Sequence, residues 1–234
     1  MAVRPLRILG RPGDEVLRQQ AQPVERIDGD LQALIDDMID TMRANDGVGL
    51  AAPQIGVPLR LVVIEVPGIP VFALINAEIA HHSGQREVEE GCLSIPGYRG
   101  DVVRSVKVVA KGLDRQGRRV RIRAGDDLLA QALEHEVDHT NGLLFVDLLP
   151  DGEHLHRIPL GMGREPAVIP ALPHQGPGWE PPEWRAARDA ARNDDAPREI
   201  ASPRYRRGMP PRLSILQYRV RARPRVRAAR QPLR

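Results

Sequence analysis

A single cysteine, Cys92, means that no disulfide can close within this chain, and cysteine usage gives no sign of an oxidising compartment. No stretch approaches the roughly 18 consecutive apolar residues that a membrane-spanning helix needs. The opening MAVRPLRILGRPGDE has no apolar core of signal-peptide length before its charges and glycines. These absences lead to the expectation of a soluble, cytoplasmic protein with no membrane partner. Two further scarcities are local: lysine does not occur after Lys111, and none of residues 201–234 is acidic.

What is present divides the chain in two. Residues 1–150 hold 17 basic and 22 acidic residues, a formal net charge of −5, together with most of the periodic apolar pattern. Residues 151–234 hold 17 basic and 9 acidic residues, a net of +8, and 13 of the 22 prolines. The overall charge of +3 is therefore an average of two unlike parts and says little about the partners of either. The length allows one domain with a sizeable buried core plus an appendage, or two small domains, and the pattern favours a domain over 1–150 with a Pro/Arg-rich tail over 151–234. Periodicity fades after Pro150, residues 159–182 are broken repeatedly by Pro and Gly, and 201–234 contains eleven arginines, so composition predicts a disordered tail. The same bias towards Arg, Pro and Ala is also what out-of-frame translation of GC-rich coding sequence produces.

Within 1–150, DLQALIDDMIDTMRAN at 30–45 spaces Leu31, Leu34, Ile35, Met38, Ile39 and Met42 by threes and fours. The spacing predicts an amphipathic helix, capped by Asp30 and stopped at Asp46-Gly47. GVGLAAPQIGVP, which follows, is too rich in Gly and Pro for a regular element. RLVVIEV at 60–66 and FALINAEI at 72–79 read as strands, and 102–111 with 118–123 reads as a hairpin about Asp114-Arg115-Gln116-Gly117. A second helix is expected from Asp126 or Asp127 to a stop at Gly142. Strands followed by a central helix, with no regular βαβ alternation, predict an α+β domain of short, mostly antiparallel sheets around that helix.

That helix carries HEVDH at 135–139. Residues four apart share a helix face, so His135 and His139 can address one ion while Glu136 reaches a water beside it. The third ligand decides the chemistry. The extended peptidase pattern HExxHxxGxxH fails, because Gly142 matches but Phe145 stands where the last histidine belongs. A thermolysin-like downstream glutamate would have to be Glu153 or Glu165, in the Pro/Gly-broken region. The remaining soft candidate is Cys92, in EGCLS; one Cys and two His would leave a fourth position open, as catalysis at a metal requires.

Three segments, GVGLAAPQIG at 47–56, EGCLSIPG at 90–97 and HEVDHTNG at 135–142, resemble the motifs GxGLAAxQ, EGCLS and HExDH of the peptide deformylase family, in the same order and at similar separations. The likeness spans roughly residues 5–150, including EVLRQQAQPV and the hairpin GLDRQGRRV. It implies removal of the formyl group from the N-terminal formylmethionine of new polypeptides, with release of formate. Cys92, His135 and His139 would bind a divalent metal, commonly Fe²⁺ in the family, with Zn²⁺, Ni²⁺ or Co²⁺ as alternatives. Glu136 would be general base and then acid, and the Gln54 amide with the backbone N–H of Leu93 would stabilise the oxyanion. Gly47, Val48 and Gly49 would run beside the substrate as a short strand, their backbone groups pairing with the peptide, and Gly91 would also bind substrate. Val48, Val88, Leu128 and Ala132 would form the methionine pocket, and Arg99 would lie near the peptide. Asp138 is expected beside Arg104. Partners implied are N-formylmethionyl nascent peptides and the ribosome, with RNA contact through the Arg-rich tail as a further reading; a degenerate domain serving only RNA binding is the competing one. The sequence departs from the family at Glu134, where Gln is common, at Thr140, where Leu is usual, and at Gln131. It also departs after Pro150, where many relatives continue into a Lys-rich segment or a final helix.

Overall fold

A computed structural model describes residues 2–149 and 155–159; the expectation of a disordered tail falls, for the remainder of 151–234, outside the described residues. Helix α1 (Gly29–Ala44) forms where the three-and-four spacing places it, but its cap is Asp28, whose side chain accepts from the Leu31 N–H at 3.1 Å. The cap therefore precedes the expected Asp30, because an N-cap must lie outside the helical turn whose N–H it satisfies.

Strand β1 (Gly49–Ala51) and a 3₁₀ turn over Ala52–Ile55 occupy the Gly/Pro-rich segment that was expected to be irregular. Three residues suffice for β1 because its backbone pairs antiparallel with β2 (Leu61–Ile64), from Gly49 opposite Ile64 to Ala51 opposite Val62. Strand β3 (Phe72–Ser83) follows, then β4 (Arg86–Cys92), β5 (Ile95–Arg104), β6 (Lys107–Leu113) and β7 (Arg119–Gly125). The expected single strand over 102–111 is thus two strands, interrupted at Ser105 and Val106, and its halves belong to different sheets. One sheet has the order β1-β2-β3-β6-β7; the other is β4-β5-β8, where β8 is Leu155–Arg157. Strand β8 pairs antiparallel with β5 and lies past Pro150, so regular structure continues beyond the compositional boundary.

The α+β expectation is met by helix α2 (Leu128–Thr140) packed among these antiparallel sheets. Alternation along β2 explains the layers. Val62 and Ile64 face one core with Leu129, Ala132, Leu133 and Val137 of α2, whereas Leu61 and Val63 face another with Ile35, Met38 and Met42 of α1. The longer sheet is thereby held between the two helices. A third cluster joins Leu17, Ile95, Val102, Leu144 and Phe145 around Cys92. Fully burying each such side chain contributes about 1.5–3 kcal/mol. No helix among the described residues is long and apolar enough to cross a membrane.

Candidate metal centre

Helix α2 starts where the Asp127 side chain accepts from the Ala130 N–H at 2.8 Å, and it ends before Gly142, whose φ of +78° is left-handed. A Cβ at Gly142 would meet the Arg18 carbonyl oxygen at 2.8 Å, so glycine serves there for both conformation and space. Every residue from Leu129 to Thr140 is buried. The rings of His135 and His139 stand edge to face, 4.8 Å apart between centroids.

Cys92 arrives from the other sheet. It ends β4 where the register with β5 shifts between Gly91 and Cys92, an irregularity of the kind that re-aims a side chain. Its Sγ lies 3.2 Å from His139 Nε2, and the ligand atoms of Cys92, His135 and His139 all fall within 4.8 Å of one another. All three residues are buried. A thiol with two imidazoles is a donor set suited to Zn²⁺ or Fe²⁺ and could hold such an ion. The Ser94 N–H donates to Cys92 Sγ at 3.4 Å, which helps fix the position of the sulfur.

A buried ionic network fixes His135. Glu90 Oε2 lies 2.9 Å from His135 Nδ1, and Arg104 clamps the same carboxylate through Nε at 2.8 Å and Nη2 at 3.0 Å. The third arm of Arg104, Nη1, donates to Asp138 Oδ2 at 2.5 Å. Burial would raise the Glu90 carboxyl, but Arg104 and His135 outweigh it and hold it well below the usual carboxylate range. An ionised Glu90 can only accept, so Nδ1 carries the proton and Nε2 keeps its lone pair for a ligand. Burial alone would make His135 less basic; Glu90 and Cys92 reverse this and raise it well above the ordinary imidazole value, which strengthens it as a donor. Asp138, raised to about 6 mainly by burial, sits beside Arg104 as expected.

Glu136 and Gln54 complete the polar floor. Burial is the chief reason that the Glu136 carboxyl is raised to about 7, and its Oε2 is buried without a hydrogen-bond partner. It presses on β1: a Cβ at Gly49 would stand 2.3 Å from Glu136 Oε1. The Ala51 N–H donates to Gln54 Oε1 at 2.8 Å, which orients the amide so that Nε2 reaches Cys92 Sγ at 3.4 Å and Ser94 Oγ at 3.3 Å. The cleft so formed is lined by Gly47, Val48, Gly49, Gln54, Gly91, Cys92, Leu93, His135 and Glu136. Four residues expected around the substrate lie outside this lining. Val88 packs on the cluster around Cys92, Leu128 and Ala132 join the core between α2 and the longer sheet, and Arg99 pairs with Glu89 at 2.8 Å.

The departures at 134, 140 and 131 find local partners. Glu134 accepts from the Ser105 N–H at 2.9 Å and the Ser105 hydroxyl at 2.7 Å, tying the break between β5 and β6 to α2. The Thr140 hydroxyl donates back to the Val137 carbonyl at 2.8 Å, and Gln131 Nε2 donates to the Glu89 carbonyl at 3.2 Å. Glu90 is the residue that sequence reasoning missed. The available signal was its place two residues before Cys92 in the same strand, although the register shift between Gly91 and Cys92 interrupts the alternation that would otherwise place it.

The polypeptide deformylase family profile matches residues 6–154. A peptide deformylase of Dehalococcoides mccartyi (strain CBDB1) is 52% identical over 159 residues, covering 68% of this chain and 93% of the relative. Among solved structures, a peptide deformylase from Legionella pneumophila is 51% identical with a TM-score of 0.60, covering 63% of this chain and 86% of that one. One from Synechococcus elongatus, solved in complex with actinonin, is 43% identical with a TM-score of 0.60, covering 63% and 79%.

Proposed function

Because the chain belongs to the peptide deformylase family, hydrolases that remove N-formyl groups, we propose that it takes the formyl group from the N-terminal formylmethionine of newly made polypeptides and releases formate. The observation that carries this reading is the convergence of Cys92, His135 and His139 within 4.8 Å beside Glu136 and Gln54.

Cys92, His135 and His139 would hold one divalent ion, Fe²⁺ first, with Zn²⁺, Ni²⁺ or Co²⁺ as alternatives. Such an ion supplies Lewis acidity and brings the pKa of water from ~16 to near ~7. Glu136, with its carboxyl raised to about 7, is matched to take a proton near neutrality and return it to the departing amine. Gln54 Nε2, aimed by the Ala51 N–H, donates where negative charge develops on the formyl oxygen, together with the backbone N–H of Leu93. A donor of this kind contributes about 3 kcal/mol to the transition state. Gly47, Val48 and Gly49 offer backbone groups to an extended substrate, in the manner of an added strand, opposite Gly91. For the first residue's side chain, Val48 lines the cleft, and Val88, Leu128 and Ala132 complete the pocket in this reading once substrate parts the packing around them. Arg99 is assigned to the peptide beyond it. The domain doing this work is 1–150 extended by β8, and the setting is co-translational, in the cytoplasm, near the ribosome.

The test is formate release from a formyl-Met peptide by protein purified without air, with its metal content measured on the same sample. Glu136→Ala should abolish release while the metal stays bound. Metal-loaded native protein that frees no formate would sink the proposal.

A further inference from the structure

We infer that the solvent face of the β6–β7 hairpin binds the phosphate backbone of RNA; the inference rests on the co-translational setting proposed above. Along β7, Arg119, Arg121 and Arg123 are exposed, while Val120, Ile122 and Ala124 alternate with them and pack towards α2. The antiparallel register sets Arg121 opposite Lys111, with Lys107 exposed further along the same face of β6. Only Lys111 has a counter-ion, Glu78 at 2.8 Å; among the described residues, Lys107, Arg119, Arg121 and Arg123 make no ion pair. The nearby acids are engaged elsewhere, Asp114 with Arg118 and Asp126 with Arg86.

Like charges directly opposite one another cost a sheet stability. Charge on an edge strand blocks pairing with a second copy, but one cation is enough for that. Five on one hairpin face, in a part of the chain whose net charge is −5, concentrate positive potential where the fold gains nothing from it. Exposed residues two apart on a strand are about 6.8 Å apart, comparable to the separation of successive phosphates in an extended nucleic-acid strand. Strands β6 and β7 contain no aromatic residue, so there is no platform for stacking, and binding would be sequence-independent and salt-sensitive. A lipid surface fits less well, because the exposed large apolar residues, Val3, Ile69 and Val103, lie off this hairpin. The chain's own residues 201–234 fit least, since they carry eleven arginines and no acid. Helix α2 packs on the opposite side of the hairpin, so RNA on the hairpin's solvent face leaves the cleft open.

The test uses the full chain and a fluorescently labelled RNA oligonucleotide, with binding followed by anisotropy across a KCl series. R119Q/R121Q/R123Q should bind at least about tenfold more weakly at low salt, with a log–log salt slope shallower by about 2, at ~0.7 per lost phosphate contact. Its formate release should equal that of the native chain, and R119K/R121K/R123K should restore RNA binding. An unchanged slope in the Gln variant, or tighter binding to anionic vesicles than to RNA, overturns the inference. Failure of the native protein to release formate would overturn the deformylase reading instead, and leaves the slope comparison readable.

Discussion

Glu90 Oε2 lies 2.9 Å from His135 Nδ1 in the interior of the protein, with both residues almost wholly excluded from solvent. The contact joins the helix that carries His135 and His139 to the strand that carries Cys92. Arg104, also buried, neutralises the carboxylate and lets it stay ionised there. Removing one member of such a network exposes the others to an uncompensated charge.

Glu90→Gln should therefore weaken metal binding by about 10–100-fold, because the imidazole loses the partner that fixes its tautomer and raises its basicity. It should also destabilise the fold by about 3–5 kcal/mol, since Arg104 is left with Asp138 alone. Competition with a chelator reads the first effect, and urea unfolding the second. Native affinity in the variant would show that Glu90 does not position His135.

Cys92 lies on the shorter sheet and the two histidines on α2, so an ion held between them would add to the Glu90–His135 and Arg104–Asp138 contacts that already join the two. Chelation should lower the melting temperature, and restoring the metal should return it. In Cys92→Ala the melting temperature should respond little to either treatment. Calorimetry with and without chelator decides between the two behaviours.

A methyl group at Gly49 would collide with Glu136 Oε1 at 2.3 Å, Cδ at 2.7 Å and Cγ at 2.8 Å. Glu136 is 3% exposed and lines the cleft, so its carboxylate can yield only by moving within it. Gly49→Ala should displace the carboxylate by about an ångström and reduce kcat on the order of 100-fold, with metal content unchanged. Formate kinetics beside metal analysis will show whether the loss is one of position or of ligation.

At the N-terminus, Asp37 accepts from the Ala2 N–H at 2.6 Å and from Arg4 at 2.8 and 2.9 Å. The Ala2 hydrogen bond, then Arg4, lowers its carboxyl below the usual value, so its folded pKa is depressed. Its contribution is fully present above the ordinary aspartate value of about 4 and is lost as pH falls through the lower folded value. Amide protection at Ala2 should accordingly be high at neutral pH and disappear at strongly acid pH. Asp37→Asn should reduce that protection at neutral pH and flatten its pH dependence.

The parts of this molecule that were legible in sequence are those with short-range periodicity. The spacing of Leu34, Ile35, Met38 and Met42 gave α1, and the four-residue step from His135 to His139 gave one face of α2. Tertiary pairing decided the rest. Gly49–Ala51 becomes a strand because β2 is there to pair with it, and 102–111 divides because its two halves find different partners. Glu90 reads as one more acid in EVEEG until Arg104, fourteen residues away, folds against it. Leu128 and Ala132 were rightly placed on α2, but position along a helix does not say which neighbours fill the space around it.

Cys92 and His139 are 47 residues apart in the chain and 3.2 Å apart in space. During synthesis, the strand bearing the thiol leaves the ribosome well before the second histidine, and the two cannot be brought together until the intervening hairpin and α2 have folded. A partly made copy that carries Cys92 but has not yet folded α2 against it has no site. Any ion that these residues hold would therefore be acquired late, after the long-range closure of the chain that brings them together.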